Sequence, residues 1–78
     1  MEKGITMNFE ELWAKVEQLK ILPESGIKQI PAILSLRTKK DLCRCSPMET
    51  ASIIMNAIDQ INHGSVETMD ALVSKQLK

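Results

Sequence analysis

The chain has 78 residues, of which 44% are apolar, and its only aromatic residues are Phe9 and Trp13. This length allows one small domain with an aliphatic core, and such domains often gain stability by self-association. Ten basic residues balance ten acidic ones, which excludes a general attraction to nucleic acid or to an anionic membrane. Because no apolar run reaches the roughly 20 residues that cross a bilayer, and no signal peptide opens the chain, we expect a cytoplasmic protein.

The first predicted helix begins after a capping box. Asn8 can accept a hydrogen bond from the first turn, and Glu11 follows it by three residues. The helix is expected to end near Lys20, because Pro23 disfavours helical backbone at the residue before it. The apolar residues of this helix recur at helical spacing, at Phe9, Leu12, Trp13, Val16 and Leu19.

The segment after Pro23 is ambiguous. Its isoleucines have helical spacing, and Pro31 is tolerated in the first turn of a helix, so a second helix is predicted over residues 28–36. A short buried strand over residues 30–36 is the alternative, although the sequence offers no partner strand for it.

A third, shorter helix is predicted from Thr38, with Asp41 at the third position after this cap, up to the stop imposed by Pro47. The segment 37–44 around this helix is basic, since Asp41 is its only acidic residue. Its cations are candidates for binding phosphate, another anionic ligand or a partner: Arg37, Lys39, Lys40 and Arg44.

The clearest pattern is a pair of capped helices at the end of the chain. Ser46 and Glu49 form a capping box around a proline at the first helical position. Gly64 suits the left-handed residue that ends a helix, and Ser65 is predicted to cap the next one. Because the connection is short, the two helices are expected to form an antiparallel hairpin. The apolar residues of the last helix are Val66, Met69, Leu72, Val73 and Leu77.

This hairpin is acidic. No Lys or Arg occurs between Cys45 and Ser74, whereas this stretch contains Glu49, Asp59, Glu67 and Asp70. The basic segment and the acidic hairpin can therefore pair within one chain or between copies of the chain. The alternative is that these charges lie on ordinary solvated faces, where ion pairs contribute little.

The first helix of the hairpin also has a broad apolar surface. Met48 and Met55 lie one heptad apart beside a stripe of isoleucines, and methionine adapts readily to a partner surface. One small domain is not expected to cover a stripe this broad. The surface predicted for self-association consists of Met48, Ile53, Met55 and Ala57.

The sequence offers little for catalysis or for a cofactor. His63 is the only histidine, and we expect it to interact with the carbonyl groups at the end of a helix. Cys43 and Cys45 lack the spacing and the partner ligands of a structural zinc site and are expected to be partly buried free thiols. No glycine-rich phosphate loop is present. We therefore expect neither an enzyme nor a bound metal or cofactor.

Together these patterns predict an all-α fold, a small bundle of about four helices that ends in a capped antiparallel hairpin. Residues 1–7 are predicted to be a disordered leader, and residues 8–78 a single helical domain. The expected function is a non-catalytic regulatory interaction with a protein partner and with further copies of the chain. One alternative is a nucleic-acid-binding regulator that uses segment 37–44, and another is an oligomer that binds a small anionic ligand.

Overall fold

The computed structural model describes residues 8–19, 22 and 27–77, and these residues contain no strand. The predicted all-α bundle is confirmed. The described residues form a 3₁₀ helix, Ile27–Gln29, and five α-helices instead of four: α1 (Phe9–Gln18), α2 (Ile30–Ile33), α3 (Leu36–Leu42), α4 (Pro47–Asn62) and α5 (Met69–Gln76). The predicted leader, residues 1–7, lies outside the described residues.

Helix α1 begins as predicted. Asn8 is its N-cap, and the side-chain oxygen of Asn8 accepts a hydrogen bond from the backbone N–H of Glu11 over 2.8 Å. The helix turns Leu12, Trp13 and Val16 toward the core, where each is at most 7% exposed. The predicted periodicity and the Asn8 cap are confirmed for this helix, and the reciprocal bond from the N–H of Asn8 to the Glu11 side chain stays a prediction.

The prediction of one helix over residues 28–36 is wrong. Helix α2 has only four residues, with Pro31 in its first turn, and the backbone of Leu34 is extended at φ −93° and ψ 140°. The buried-strand alternative is wrong as well, since these residues are helical up to Ile33. Ser35 also has extended backbone because it caps the next helix.

The predicted start of the third helix at Thr38 is wrong by three residues. Ser35 is the N-cap of α3, and its hydroxyl oxygen accepts a hydrogen bond from the backbone N–H of Thr38 over 3.2 Å. Thr38 is buried in the first turn, at 3% exposure. Its hydroxyl accepts a hydrogen bond from that of Ser35 over 3.0 Å. Both residues are good caps by type, so local propensity alone does not choose between them.

Helix α4 has the predicted boundaries. Ser46 and Glu49 form the complete capping box, in which each side chain accepts a hydrogen bond from the other residue's backbone N–H. At the opposite end, Gly64 has a φ of +97°. The N–H of Gly64 donates to the carbonyl of Ile61, and the N–H of Ser65 donates to the carbonyl of Gln60, both over 3.0 Å. These two bonds constitute a Schellman motif.

The predicted cap of the last helix, Ser65, is wrong. Thr68 caps α5, and its hydroxyl oxygen accepts a hydrogen bond from the N–H of Ala71 over 3.1 Å. The backbone of Ser65 still belongs to the Schellman motif, and its hydroxyl accepts from the nearby N–H of Glu67 over 3.3 Å. Val66, which we expected in the last helix, precedes it and is 99% exposed.

Helix α4 lies at the centre of the fold, because it packs against both α1 and α5, and α3 contacts the same two helices. The side-chain amide of Gln76, at the end of α5, donates to the carbonyl of Ile53, in the first half of α4, over 3.0 Å. The antiparallel arrangement of α4 and α5 stays a prediction. The largest fully buried side chains of the core are Leu12, Val16, Leu42, Thr50, Ile54, Leu72 and Val73.

Candidate binding site

The basic segment 37–44 is divided between two faces of α3. Leu36, Lys40 and Cys43 follow one another at spacings of four and three residues, so they lie on one face of the helix. Arg37 and Asp41, also four residues apart, lie on another face. The four predicted cations therefore do not all lie on one face of α3.

The first face borders a groove of about 540 Å³ between the start of α1 and α3. This volume is within the usual range for ligand pockets. Apolar side chains and three of the four predicted cations line the groove, whose residues are Asn8, Phe9, Leu36, Lys39, Lys40, Cys43 and Arg44. We call these residues the basic groove.

Phe9 is held in place at the edge of the core. Its ring stacks on that of Trp13, with ring centroids 5.9 Å apart, and Trp13 is only 7% exposed. On the other side, the ammonium group of Lys39 lies 5.7 Å from the centroid of the Phe9 ring, which is within the range of a cation–π interaction. These two contacts position the aromatic ring that borders the groove.

Leu36 is the groove residue that sequence analysis missed. It was expected only as the end of a helix, yet it stands in the first turn of α3 with 69% of its surface exposed. Its spacing to Lys40 and Cys43 was visible in the sequence, but its exposure depends on where α1 packs. Leu36 and Phe9 thus supply apolar surface in the groove that Lys39, Lys40 and Arg44 also line.

Arg37 borders a different and polar cavity of about 260 Å³, together with Ser35, Thr38, Asp41 and Asp70. Hydrogen bonds from the Thr38 side chain and from the backbone N–H of Ser35 lower the pKa of the Asp70 carboxyl. Two carboxylates face this cavity, which makes it unfavourable for an anion. Arg37 therefore borders this cavity and is not among the residues that line the basic groove.

Both cysteines are partly buried free thiols, as expected. Burial raises the pKa of Cys43, and burial followed by the nearby carboxylates of Glu49 and Asp41 raises the pKa of Cys45. The reactive thiolate form is therefore disfavoured at both positions. Among the described residues, no group of three or more His, Cys, Asp or Glu side chains is arranged to hold a metal ion.

The four residues predicted for self-association do not share one surface. Met48 and Met55 are exposed, at 61% and 41%. Ile53 is half-buried against the core, and Ala57 is completely buried within it. Ala57 is therefore a correction, because it packs inside the domain, whereas Met48 and Met55 stay exposed.

His63 lies at the end of α4, with its Nδ1 atom 2.8 Å from the carbonyl oxygen of Asp59 and 3.4 Å from the carboxylate of the same residue. Both side chains are more than 70% exposed, at 76% and 71%. This is the helix-terminal position that the sequence predicts for His63.

In the described part of the chain, no helix is both long and apolar enough to cross a membrane.

No family model matches this sequence, and neither a curated protein nor a solved structure shows significant similarity to it. The roles of its residues are therefore argued from the geometry and charge of this chain. The basic groove is the site that these arguments favour.

Proposed function

We propose that this protein is a non-catalytic interaction module, and that the basic groove is where it binds an acidic, amphipathic protein segment. The observation that carries this proposal is the exposure of Leu36, 69%, beside Phe9 inside a rim of three cations. Apolar floors with charged rims are typical of protein-binding surfaces, where burial supplies affinity and charge supplies selectivity.

The shape of the groove supports a helical segment as its occupant. Leu36 and Cys43, two turns apart on α3, lie roughly 10 Å apart along the helix axis. Two turns of a partner helix can therefore lie along α3 and place apolar residues against Leu36 and Phe9. Acidic residues at the borders of that apolar face then meet Lys39, Lys40 and Arg44, as in other complexes that seat an amphipathic helix in a groove.

Stabilisation of α3 by its own charges explains the positions of the lysines but not the exposed apolar surface beside them. Lys39 and Lys40 lie in the last turn of α3, where cations interact favourably with the helix dipole. That effect requires neither the exposure of Leu36 nor an aromatic ring beside it. Binding accounts for the apolar and the basic features together.

The test uses a designed, acidic amphipathic peptide of unrelated sequence, a basic peptide of the same apolar pattern, and a short DNA duplex as probes. Binding to the isotopically labelled protein is followed by the shifts of its backbone amide signals. We expect the acidic peptide to shift the signals of the basic groove, and to bind more weakly as salt is added.

Charge reversal in the groove, Lys40→Glu with Arg44→Glu, is expected to lower the affinity for the acidic peptide at least tenfold, which corresponds to about 1.4 kcal/mol of binding free energy. The matched control, Lys15→Glu with Lys28→Glu, changes the net charge equally at exposed positions outside the groove. Absence of acidic-peptide binding, or equal loss in the control, would falsify the proposal. Duplex binding through the same signals would instead establish the nucleic-acid alternative.

A further inference from the structure

Helix α4 has an outward face that combines apolar and acidic character. Met48, Ser52, Met55 and Asp59 follow one another at spacings of four, three and four residues, so they lie in one line along the helix. All four are exposed, and the side chain of Asp59 is 71% exposed. We call these four residues the α4 strip, which extends over roughly 16 Å of helix.

The α4 strip has the chemistry that the basic groove requires. Its methionines are flexible apolar side chains that can pack against Leu36 and Phe9. Asp59 lies on it, and Glu49 lies beside Met48 at the start of the helix, whereas the stretch between Cys45 and Ser74 contains no Lys or Arg. No like charge therefore opposes Lys39, Lys40 and Arg44 across such a contact.

Three of the four acidic residues in the stretch without Lys or Arg are engaged near their own positions; the fourth, Asp70, accepts a hydrogen bond from the backbone N–H of Ser35. Glu67 pairs with Lys75, Asp59 lies beside His63, and Glu49 completes the cap of Ser46. Within the described residues, no ion pair joins segment 37–44 to these acids. The pairing within one chain that the charge distribution allowed is therefore not formed there, so the cations of the basic groove are free to meet acidic groups of another copy.

Resting on the proposed function of the basic groove, we propose that its occupant is a second copy of this chain, seated through the α4 strip. The groove and the strip share no residue, so each copy presents one of each. A contact between two different surfaces is heterologous: copies join head to tail until a ring closes, or two copies exchange the contact reciprocally.

The experiment measures the mass of the full chain by sedimentation over a range of concentrations, in low and in high salt. We expect multimers whose mass falls as the protein is diluted and as salt screens the charges. Two charge-reversed variants are then compared. The groove variant is Lys40→Glu/Arg44→Glu, and the strip variant is Ser52→Lys/Asp59→Lys; Glu49 is left intact because it caps α4.

Each variant alone is expected to be monomeric, because its groove and strip then have the same sign of charge. Their equimolar mixture is expected to restore the multimer, because every groove then meets a strip of opposite sign. A matched pair, Lys15→Glu/Lys28→Glu and Glu17→Lys/Gln60→Lys, has the same net charges at exposed positions outside both surfaces. Each of these controls should associate as the unchanged chain does.

Leu36→Ala provides a second test that adds no charge and removes only exposed apolar surface. We expect it to weaken association at least tenfold while the helical circular dichroism stays unchanged. A monomeric native chain at all concentrations overturns the proposal, as does association that all of these variants leave intact. If the acidic peptide still binds the groove in either case, the proposed function stands and only the second copy is excluded as its occupant.

Discussion

The carboxylate of Asp70 accepts a hydrogen bond from the backbone N–H of Ser35 over 2.9 Å, although 35 residues separate them along the chain. Ser35 is the N-cap of α3, and Asp70 lies in the first turn of α5. In a capping box, the acidic residue that accepts this N–H stands at the third helical position. Here Thr38 occupies that position, and Asp70 supplies the acceptor from another helix.

This contact makes stability depend on pH. The hydrogen bonds that Asp70 accepts lower its pKa in the folded chain. A carboxyl whose folded pKa lies below its unfolded value, about 3.9, stabilises the fold fully above that value. The contribution is lost as the pH falls through the folded pKa.

We expect Asp70→Ala to reduce the free energy of unfolding at about pH 7 by roughly 1 kcal/mol, a value that allows for partial solvent screening. At acid pH, as the pH falls through the lowered folded pKa of Asp70, the difference from the unchanged chain should shrink, because the native carboxyl becomes protonated there. Urea unfolding followed by the fluorescence of buried Trp13 measures both values. Glu17→Ala, at an exposed site of α1, is the control. A loss of equal size at both pH values would contradict the role of the charge.

A second prediction concerns the cap of α5. Thr68→Ala removes the acceptor for the N–H of Ala71 and should cost about 1 kcal/mol. Ser65→Ala removes only a local turn bond to the N–H of Glu67 and should cost less than about 0.5 kcal/mol. Urea unfolding of the two variants compares them directly. If Ser65→Ala were the costlier change, α5 would begin at Ser65 in solution.

A third prediction concerns the end of α4. Gly64 has a φ of +97°, which side chains rarely adopt, and an added Cβ would meet no atom within 4 Å. The cost of Gly64→Ala is therefore one of backbone conformation, about 1 kcal/mol. Gly64→Asn should cost less, since asparagine tolerates the left-handed region better. Thermal unfolding of both variants tests this order, and a neutral Gly64→Ala would argue against the Schellman motif.

A fourth prediction compares the effect on stability of the buried and the exposed leucine of α3. Leu42 is completely buried, and Leu42→Ala should destabilise the fold by about 3 kcal/mol through lost burial and the cavity left behind. Leu36→Ala, at a position that is 69% exposed, should change stability by less than about 0.5 kcal/mol. Urea unfolding of both variants provides the comparison. A large loss from Leu36→Ala would place this side chain in the core and remove the apolar part of the basic groove.

Some of the binding site could be predicted from the sequence. Lys39, Lys40 and Arg44, which were predicted together, line one groove, because residues close in sequence on a short helix stay close in space. Arg37, which was predicted together with them, lines a different cavity with Asp41 and Asp70. Phe9 and Leu36 were not connected to the cations, because only the packing of α1 against α3 brings them together.

By itself, the sequence determined the features that arise from neighbouring residues. The Asn8 cap, the Ser46–Glu49 capping box and the Gly64 terminus are hydrogen bonds or backbone conformations formed within a few positions, so their residue types specify them. The aliphatic periodicity likewise specified an all-α fold.

The tertiary structure decided between local signals of similar strength. Ser35 and Thr38 are both suitable caps. Ser35 is the one that caps α3, and its N–H donates a hydrogen bond to the carboxylate of Asp70 from another helix. In the same way, packing buried Ala57 and left Met48 and Leu36 exposed. Such choices depend on contacts between helices, whose free energies are as large as those of the local signals and are not encoded at neighbouring positions.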